Sequence, residues 1–115
     1  MSADCLFCKI IKGEIPSKKV YEDDLVLAFD DISPQSPIHI VIISKKHIAS
    51  LKEVSQNDEI LLGRIQIAAS KIASQYPQLS NGYRLINNCG ADAQQSVQHI
   101  HYHLLGGRSF KWPPG

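Results

Sequence analysis

The stretch HIHYHLL, residues 99–105, carries histidines at alternate positions, His99, His101 and His103. Successive side chains on a β-strand point to opposite faces of the sheet, so the three imidazoles would share one face at about 7 Å spacing. The intervening residues would pack against a helix on the other face: Ile100, Tyr102 and Leu104. The stretch therefore predicts a strand with one apolar side and a row of imidazoles on its other side.

Four further segments predict β-strands around this one. IHIVIIS (38–44) is β-branched and almost wholly apolar, which is typical of a central strand. KKVYE (18–22) and DLVLAFDD (24–31) would pair as a hairpin that turns at residues 22–24. GYRLINN (82–88) would supply the fifth strand.

Two segments predict helices. Residues 5–12, CLFCKIIK, would form a short helix that ends before Gly13. Residues 55–76 would form a long helix, because Ser55 and Asp58 resemble a capping box and apolar residues then recur at helical spacing, at Leu61, Ile65, Ala68 and Ile72. The order α-β-β-β-α-β-β predicts a single α+β domain over residues 1–115, with an antiparallel sheet and the helices on one side of it.

Composition restricts the class of protein. Of 115 residues, 43% are hydrophobic and 20% are charged, which is ordinary for a soluble globular domain. A net charge of +1 predicts neither nucleic-acid binding nor attachment to a membrane surface. No apolar run approaches the roughly 20 residues that span a bilayer, and the first ten residues lack the pattern of a signal peptide. Three cysteines, two of them in Cys5-x-x-Cys8, favour a reducing compartment, so we expect a cytoplasmic protein.

The histidine row has two functional interpretations besides an incidental one on a half-exposed strand. Alternate histidines can ligate a zinc ion that activates water. Alternatively, one neutral imidazole is the nucleophile and its neighbours orient it and bind an anion. The preceding loop, CGADAQQS (89–96), favours the second, since it can offer backbone N–H groups and the Ser96 hydroxyl to phosphate oxygens.

A wider similarity accompanies the row. HIHYHLL matches the motif His-x-His-x-His followed by two apolar residues, and the chain also resembles the family of that motif in YEDDLVLAFDDISPQSPIHIVIISKKHI (21–48), in GYRLINN and in LLGGRSFKWPPG (104–115). The sequence is thus similar, over nearly its whole length, to the histidine-triad (HIT) family, and within it to the Hint branch of purine nucleoside phosphoramidases. The resemblance implies the HIT fold, with a five-stranded sheet that continues across a homodimer.

The resemblance also implies an activity, the hydrolysis of purine nucleoside 5′-phosphoramidates of the AMP-amine or aminoacyl-adenylate type through a covalent nucleotidyl-histidine. His101 would attack phosphorus, His103 would bind and orient the phosphate, His99 would support the rings, and His39 would lie near the leaving group. Asp31 would bind the ribose hydroxyls.

The remaining nucleotide-binding residues are implied in the same way. The purine would lie in an apolar slot formed by Leu6, Phe7, Ile10, Phe29 and Ile32. The phosphate or leaving group would be contacted by Asn88, Gln95 and Ser96. Trp112 would reach the active site of the partner subunit. This chain has Gln94 where close relatives usually have glycine before QSV.

Cys5-x-x-Cys8 is open to two interpretations. The thiols can simply pack on a short helix. Alternatively, as the resemblance implies for some HIT proteins, they bind a structural zinc ion together with His47 and His99, a sound Cys₂His₂ set. No cofactor would be needed for the chemistry. Two other functions stay open: a zinc-dependent hydrolase with the histidine row as ligands, and a nucleotide-binding regulatory module with incidental turnover.

Overall fold

A five-stranded antiparallel sheet forms the centre of the structure, a computed structural model that describes residues 4–115. The strands are β1 (Lys19–Glu22), β2 (Val26–Asp30), β3 (Ile38–Ser44), β4 (Tyr83–Asn87) and β5 (His101–Gly106). They lie in the order β1-β2-β3-β5-β4. The helices are α1 (Leu6–Ile11) and α2 (Glu59–Ala73). The α+β class, the five strands and the pair of one short and one long helix are confirmed.

The two helices pack on opposite faces of the sheet, so the prediction that both lie on one side is wrong. On β2, Val26 and Ala28 belong to the core beneath α2, whereas Leu27 and Phe29 belong to a second core with Phe7 of α1. Both sets of alternate residues on β2 and β3 are apolar, so the central strands can be covered twice. The hydrophobic pattern of the short helix alone could not say which face it would cover.

The long helix is shorter than predicted at both ends. The capping box exists, with the Ser55 N–H donating to Asp58 Oδ2 at 3.0 Å, but it closes a 3₁₀ turn over Gln56–Asp58 before α2 begins at Glu59. The helix ends at Ala73 rather than at residue 76. The predicted stripe faces the core, since Leu61, Ile65, Ala68 and Ile72 are all buried.

The last strand begins at His101, two residues later than predicted. The two residues before this strand form backbone hydrogen bonds outside the sheet. The His99 N–H donates to Val97 O at 2.9 Å, and the Ile100 N–H donates to Ile48 O at 2.8 Å. Ile100, Tyr102 and Leu104 nevertheless contribute to the core beneath α2, as the alternation predicted. Within residues 4–115, no helix has both the length and the apolar character needed to cross a bilayer.

Gly106 ends β5 at a point where its backbone lies against the side chain of Leu79. A Cβ at this position would overlap Cδ2 of Leu79, a side chain that is only 3% exposed and so has little room to move. Gly63, in α2, has open space where its own Cβ would lie. The two glycines therefore form a matched pair.

We expect Gly106→Ala to destabilise the protein by about 1–3 kcal/mol, because the buried Leu79 side chain must be displaced. Gly63→Ala should instead stabilise it by about 0.5–1 kcal/mol, since alanine is the better helix former. Urea unfolding at neutral pH measures both changes. Equal stabilities for wild type and Gly106→Ala would contradict the close packing.

Candidate active site and metal cluster

Pairing of β3 with β5 brings the histidines together on the α1 face of the sheet. The register sets His103 opposite Val41 and His101 opposite Ile43. The ring centroids of His101 and His103 lie 5.2 Å apart, and those of His39 and His103 lie 5.0 Å apart. All three rings are largely covered by protein. The structure therefore gathers His39, His101 and His103 into one group, as the sequence predicted.

A backbone carbonyl decides which nitrogen of His101 carries the proton. His101 Nδ1 lies 2.7 Å from His99 O. A carbonyl oxygen only accepts hydrogen bonds, so Nδ1 must carry the proton, and the lone pair of the neutral ring is on Nε2. Burial lowers the pKa of His101, and the ring is therefore neutral at pH 7. The ring also rests edge-on against Phe7, at a centroid distance of 5.0 Å.

A backbone amide orients the other two rings. The Gln35 N–H donates to His39 Nδ1 at 3.0 Å, which leaves the proton of His39 on Nε2. His39 Nε2 can then donate to His103 Nδ1, 2.8 Å away, so that the proton of His103 is on its own Nε2. These contacts thus leave His103 with an Nε2–H group that is not used in its hydrogen bond with His39. Such a group suits a phosphate oxygen or a leaving nitrogen.

Burial keeps these imidazoles neutral. It lowers the pKa of His39, and it lowers the pKa of His103 to about 4, with the neighbouring rings of His101 and His39 adding to the effect. Asp31, which arrives from the end of β2, lies 3.4 Å from His39 Nε2 through its Oδ2. Its charge opposes the shift but does not outweigh burial. Its Oδ1 accepts the Ser33 N–H at 2.7 Å, which fixes the carboxylate in the turn.

An apolar cleft of about 470 Å³ opens beside this group. Four of the five predicted slot residues line it, namely Leu6, Ile10, Phe29 and Ile32, together with Asp31. Phe7 lies behind them, 5.8 Å from the Phe29 ring and only 6% exposed. Ile32 is 99% exposed and forms the rim of the cleft.

The loop before β5 is braced by its own side chains. Gln95 accepts the Gly90 N–H through Oε1 and donates through Nε2 to the carbonyls of Ala49 and Val97. Asn88 donates to Ala93 O at 2.7 Å. Gln94 has φ 65° and ψ 41°, the left-handed conformation that glycine adopts with least strain. These bonds hold Gln95 and Asn88 in the loop rather than toward the histidines.

Two predicted binding residues, Ser96 and Trp112, do not line the apolar cleft. Ser96 is exposed and lines a second cleft, of about 370 Å³, together with Cys5, Leu6 and His47. Trp112 is 83% exposed. Its segment is anchored by Arg84, which donates to the carbonyls of Lys111 and Pro114.

Cys5, Cys8, His47 and His99 form a second centre. One ligand atom from each lies within 4.8 Å of all the others. The His99 Nε2–H donates to Ser44 O at 2.6 Å, so its Nδ1 keeps the lone pair that faces Cys5 Sγ at 3.3 Å. Burial raises the pKa of the Cys8 thiol and lowers that of His99. Two sulfurs and two imidazole nitrogens suit a tetrahedral ion such as zinc, and the cluster could hold one.

A second possible metal site is formed by Asp31, His39 and His103, which lie close together. The positions of the protons on the His39 ring do not fit a bound metal. The Gln35 N–H occupies the lone pair of His39 Nδ1, so Nε2 is a donor and not a ligand. Binding a metal there would force a proton onto Nδ1, against the amide. This observation disfavours a metal ion held by Asp31, His39 and His103.

Several contributors to the site were not predicted. Val41, Ile15 and Lys18 line the apolar cleft. Val41 could have been found, because it alternates with His39 on β3 and so shares its face. Ser44 and Gln35 act through a backbone carbonyl and a backbone amide, and no side-chain pattern signals such roles.

The chain is similar to known proteins over almost its entire length. Residues 4–111 match the family described as "Scavenger mRNA decapping enzyme C-term binding". The purine nucleoside phosphoramidase of Escherichia coli K12 is 52% identical over 108 residues, which cover 94% of this chain and 91% of that protein. The crystal structure of a HIT family hydrolase from Legionella pneumophila Philadelphia 1 superposes with a TM-score of 0.94 at 52% identity, covering 97% of this chain and 100% of that one. A histidine triad protein from Clostridium difficile has a TM-score of 0.90 at 46% identity, covering 96% of both chains.

The low pKa of His103 predicts that acid destabilises the fold. The unfolded chain takes up a proton near the ordinary value of 6.5, whereas the folded ring does so only near 4. The unfolded state therefore binds more protons between these values, and His103 removes on the order of 2 kcal/mol of stability as the pH falls from about 7 to 4.5. Urea unfolding should show a smaller pH dependence over this range in His103→Asn than in wild type. If the free energies of unfolding of the two proteins changed equally with pH, the lowered pKa of His103 would be contradicted.

Proposed function

The chain belongs to the histidine-triad (HIT) family of hydrolases, and on this premise we propose that it hydrolyses purine nucleoside 5′-phosphoramidates through a covalent intermediate on His101. The observation that carries the proposal is the hydrogen bond from His101 Nδ1 to His99 O, which leaves a lone pair on Nε2 of a buried, neutral ring. A neutral imidazole held in this way is a nucleophile that needs no separate base.

The reaction would proceed in two displacements. In the first, His101 Nε2 attacks the α-phosphorus and the P–N bond breaks; its electron pair goes to the amine nitrogen, which takes up a proton from solvent as it departs. That proton matters because an unprotonated amide nitrogen is a poor leaving group. In the second, water attacks phosphorus and gives up a proton to solvent, the bond from phosphorus to His101 breaks with its electron pair returning to Nε2, and the nucleoside monophosphate is released. Dividing the reaction in this way replaces one large barrier by two smaller ones.

Other residues would bind and orient the substrate. The Nε2–H of His103 would donate to a phosphate oxygen or to the leaving nitrogen, with His39 holding the ring in that form. The apolar cleft has the shape and lining for a purine, and Asp31 at its edge would accept hydrogen bonds from the ribose hydroxyls. Asn88 and Gln95 would act indirectly, by holding the loop before β5 in shape, and Ser96 would act from the neighbouring cleft that it lines with His47.

A structural zinc ion is proposed for the Cys5, Cys8, His47 and His99 cluster. Zinc would supply a closed tetrahedral link between α1, the segment after β3 and the start of β5, and no step of the reaction would pass through it. The buried thiols and the free lone pair of His99 support this assignment. The chain's free cysteines fit the reducing, cytoplasmic location that we infer.

We also infer a homodimer. β4 lies at the edge of the sheet, where its outer backbone groups can pair with a second copy. Ile60 and Ile67, seven residues apart on α2, are 76% and 54% exposed, and Trp112 is 83% exposed, so these side chains are available to a partner. In such a dimer Trp112 would approach the partner's active site.

Release of AMP from adenosine 5′-phosphoramidate tests the proposed activity. We expect His101→Ala to lower the rate by on the order of 10³-fold or more, because the nucleophile is lost. Cys89→Ser, a change outside both clusters, should keep the wild-type rate. Rapid acid quenching should trap a nucleoside monophosphate on the wild-type peptide that contains residues 99–103. A fully active, folded His101→Ala protein would refute the mechanism.

Metal analysis of protein purified without chelator should find about one zinc ion per chain. Cys8→Ser should lose most of it, whereas Cys89→Ser should retain it, because Cys8 lies in the cluster and Cys89 does not. Zinc-free wild-type protein with unchanged thermal stability and activity would refute the structural site.

Sedimentation should show a species of twice the mass of one chain. Ile67→Asp is expected to weaken self-association, because it would bury a charge in the proposed contact. A variant that remains as dimeric as wild type at low micromolar concentration would exclude this face of α2 from the interface.

A further inference from the structure

His99 belongs to both centres of the molecule. It is fully buried, and its Nδ1 lies among the sulfurs of Cys5 and Cys8 and 3.2 Å from His47 Nδ1. Its backbone carbonyl accepts the Nδ1–H of His101, the proposed nucleophile. One residue therefore contacts the metal cluster through its ring and the reacting imidazole through its backbone.

The sheet does little to fix that carbonyl. His99 precedes β5, and the first residue of this strand paired with β3 is His101, opposite Ile43. The peptide group of the His99 carbonyl is held instead by the Ile100 N–H, which donates to Ile48 O at 2.8 Å next to His47, and by the contacts of the His99 side chain. That side chain is held by Ser44 O at Nε2 and by the cluster at Nδ1.

Phe7 provides a second connection between the two rings. It contacts the His99 ring edge-on at 5.7 Å and the His101 ring at 5.0 Å. It lies between Cys5 and Cys8 on the same short segment. A cluster that closes around an ion would thus fix α1, His99 and the packing against His101 together.

We propose that Cys5, Cys8 and His47 are positioning residues for catalysis, which hold the His101 imidazole in its Nδ1–H form and in its attacking orientation by immobilising His99. The inference rests on the proposed function for its kinetic consequence, but the tautomer of His101 can be observed without any substrate. It assigns the bound ion a role in preparing the nucleophile, although the ion takes part in no bond that forms or breaks. Supporting residues of this kind commonly alter activity by about 10–100-fold.

His47 is the ligand to change, because it lies outside α1. Cys5 caps α1, and Leu6 and Ile10 of α1 line the purine cleft, so changes at the cysteines would disturb substrate binding as well. His47 lies beyond the end of β3 and contacts Cys8 and His99. His47→Asn should remove a ligand, and His47→Cys should retain one.

The kinetic experiment compares these two variants with wild type, using adenosine 5′-phosphoramidate. We expect His47→Asn to bind zinc poorly and to lose about tenfold in kcat while KM changes by less than about twofold. His47→Cys should recover zinc and most of kcat. A zinc-free His47→Asn protein with wild-type kcat would overturn the proposal, and so would a zinc-loaded His47→Cys protein that is as slow as His47→Asn.

The substrate-free experiment records long-range ¹H–¹⁵N spectra of the imidazoles. Zinc-loaded wild type should show His101 solely as the Nδ1–H tautomer, and His47→Asn should show a mixture. If wild type hydrolyses no phosphoramidate, the proposed function fails, whereas this spectrum still decides the positioning role. Identical His101 signals in the two proteins would overturn it.

Exchange of zinc for cadmium in wild type provides a measurement that needs no variant. The larger ion should shift the His101 ring signals through His99 and leave the Trp112 indole signal unchanged. This comparison decides the matter if His47→Asn does not fold. Unmoved His101 signals in the cadmium protein would overturn the proposal.

Discussion

Three backbone groups determine the protonation pattern on which the whole site depends. Ser44 O accepts a hydrogen bond from His99 Nε2–H, His99 O accepts one from His101 Nδ1–H, and the Gln35 N–H donates to Nδ1 of His39. A neutral imidazole has one donor and one acceptor, so each contact decides what the opposite nitrogen can do. The same rule leaves a ligand atom on His99, a nucleophilic atom on His101 and, through His39, a donor on His103. In the proposed chemistry, identical side chains would thereby take three different roles.

That pattern requires a sheet that is covered on both faces. The α2 face carries the larger apolar core, and the α1 face buries the imidazoles beside Leu27, Phe29, Val41 and Ile43. Burial keeps the rings neutral, and only neutral rings have the lone pairs that the contacts assign. The short helix α1 is therefore as important to the site as the long one, since it contributes to the cover, to the apolar cleft and to the cysteine pair.

Much of this arrangement could be predicted from the sequence because it follows from side-chain periodicity. The strand over residues 38–44 and the buried stripe of α2 are found where the pattern places them, and alternation put Ile100, Tyr102 and Leu104 on the correct face. The side of the sheet that α1 covers was mispredicted, because both sets of alternate residues on β2 are apolar and the pattern does not choose between them. The start of β5 was misplaced because Ile100 pairs with Ile48, outside the sheet, while keeping the apolar character of a strand residue. The tautomers could not be predicted at all, since they depend on main-chain groups that look alike in any sequence.

The neutrality of the buried histidines has a consequence for how an anionic substrate would be held. With the rings uncharged and Asp31 close by, the histidine centre itself offers directed N–H groups rather than a cationic field. Binding that relies on short-range dipoles is screened little by salt, so substrate affinity should vary only weakly with ionic strength. The second negative charge that a phosphate monoester gains near neutral pH would be poorly accommodated there. The same lack of positive charge that permits nucleophilic attack would thus favour departure of the cleaved nucleotide.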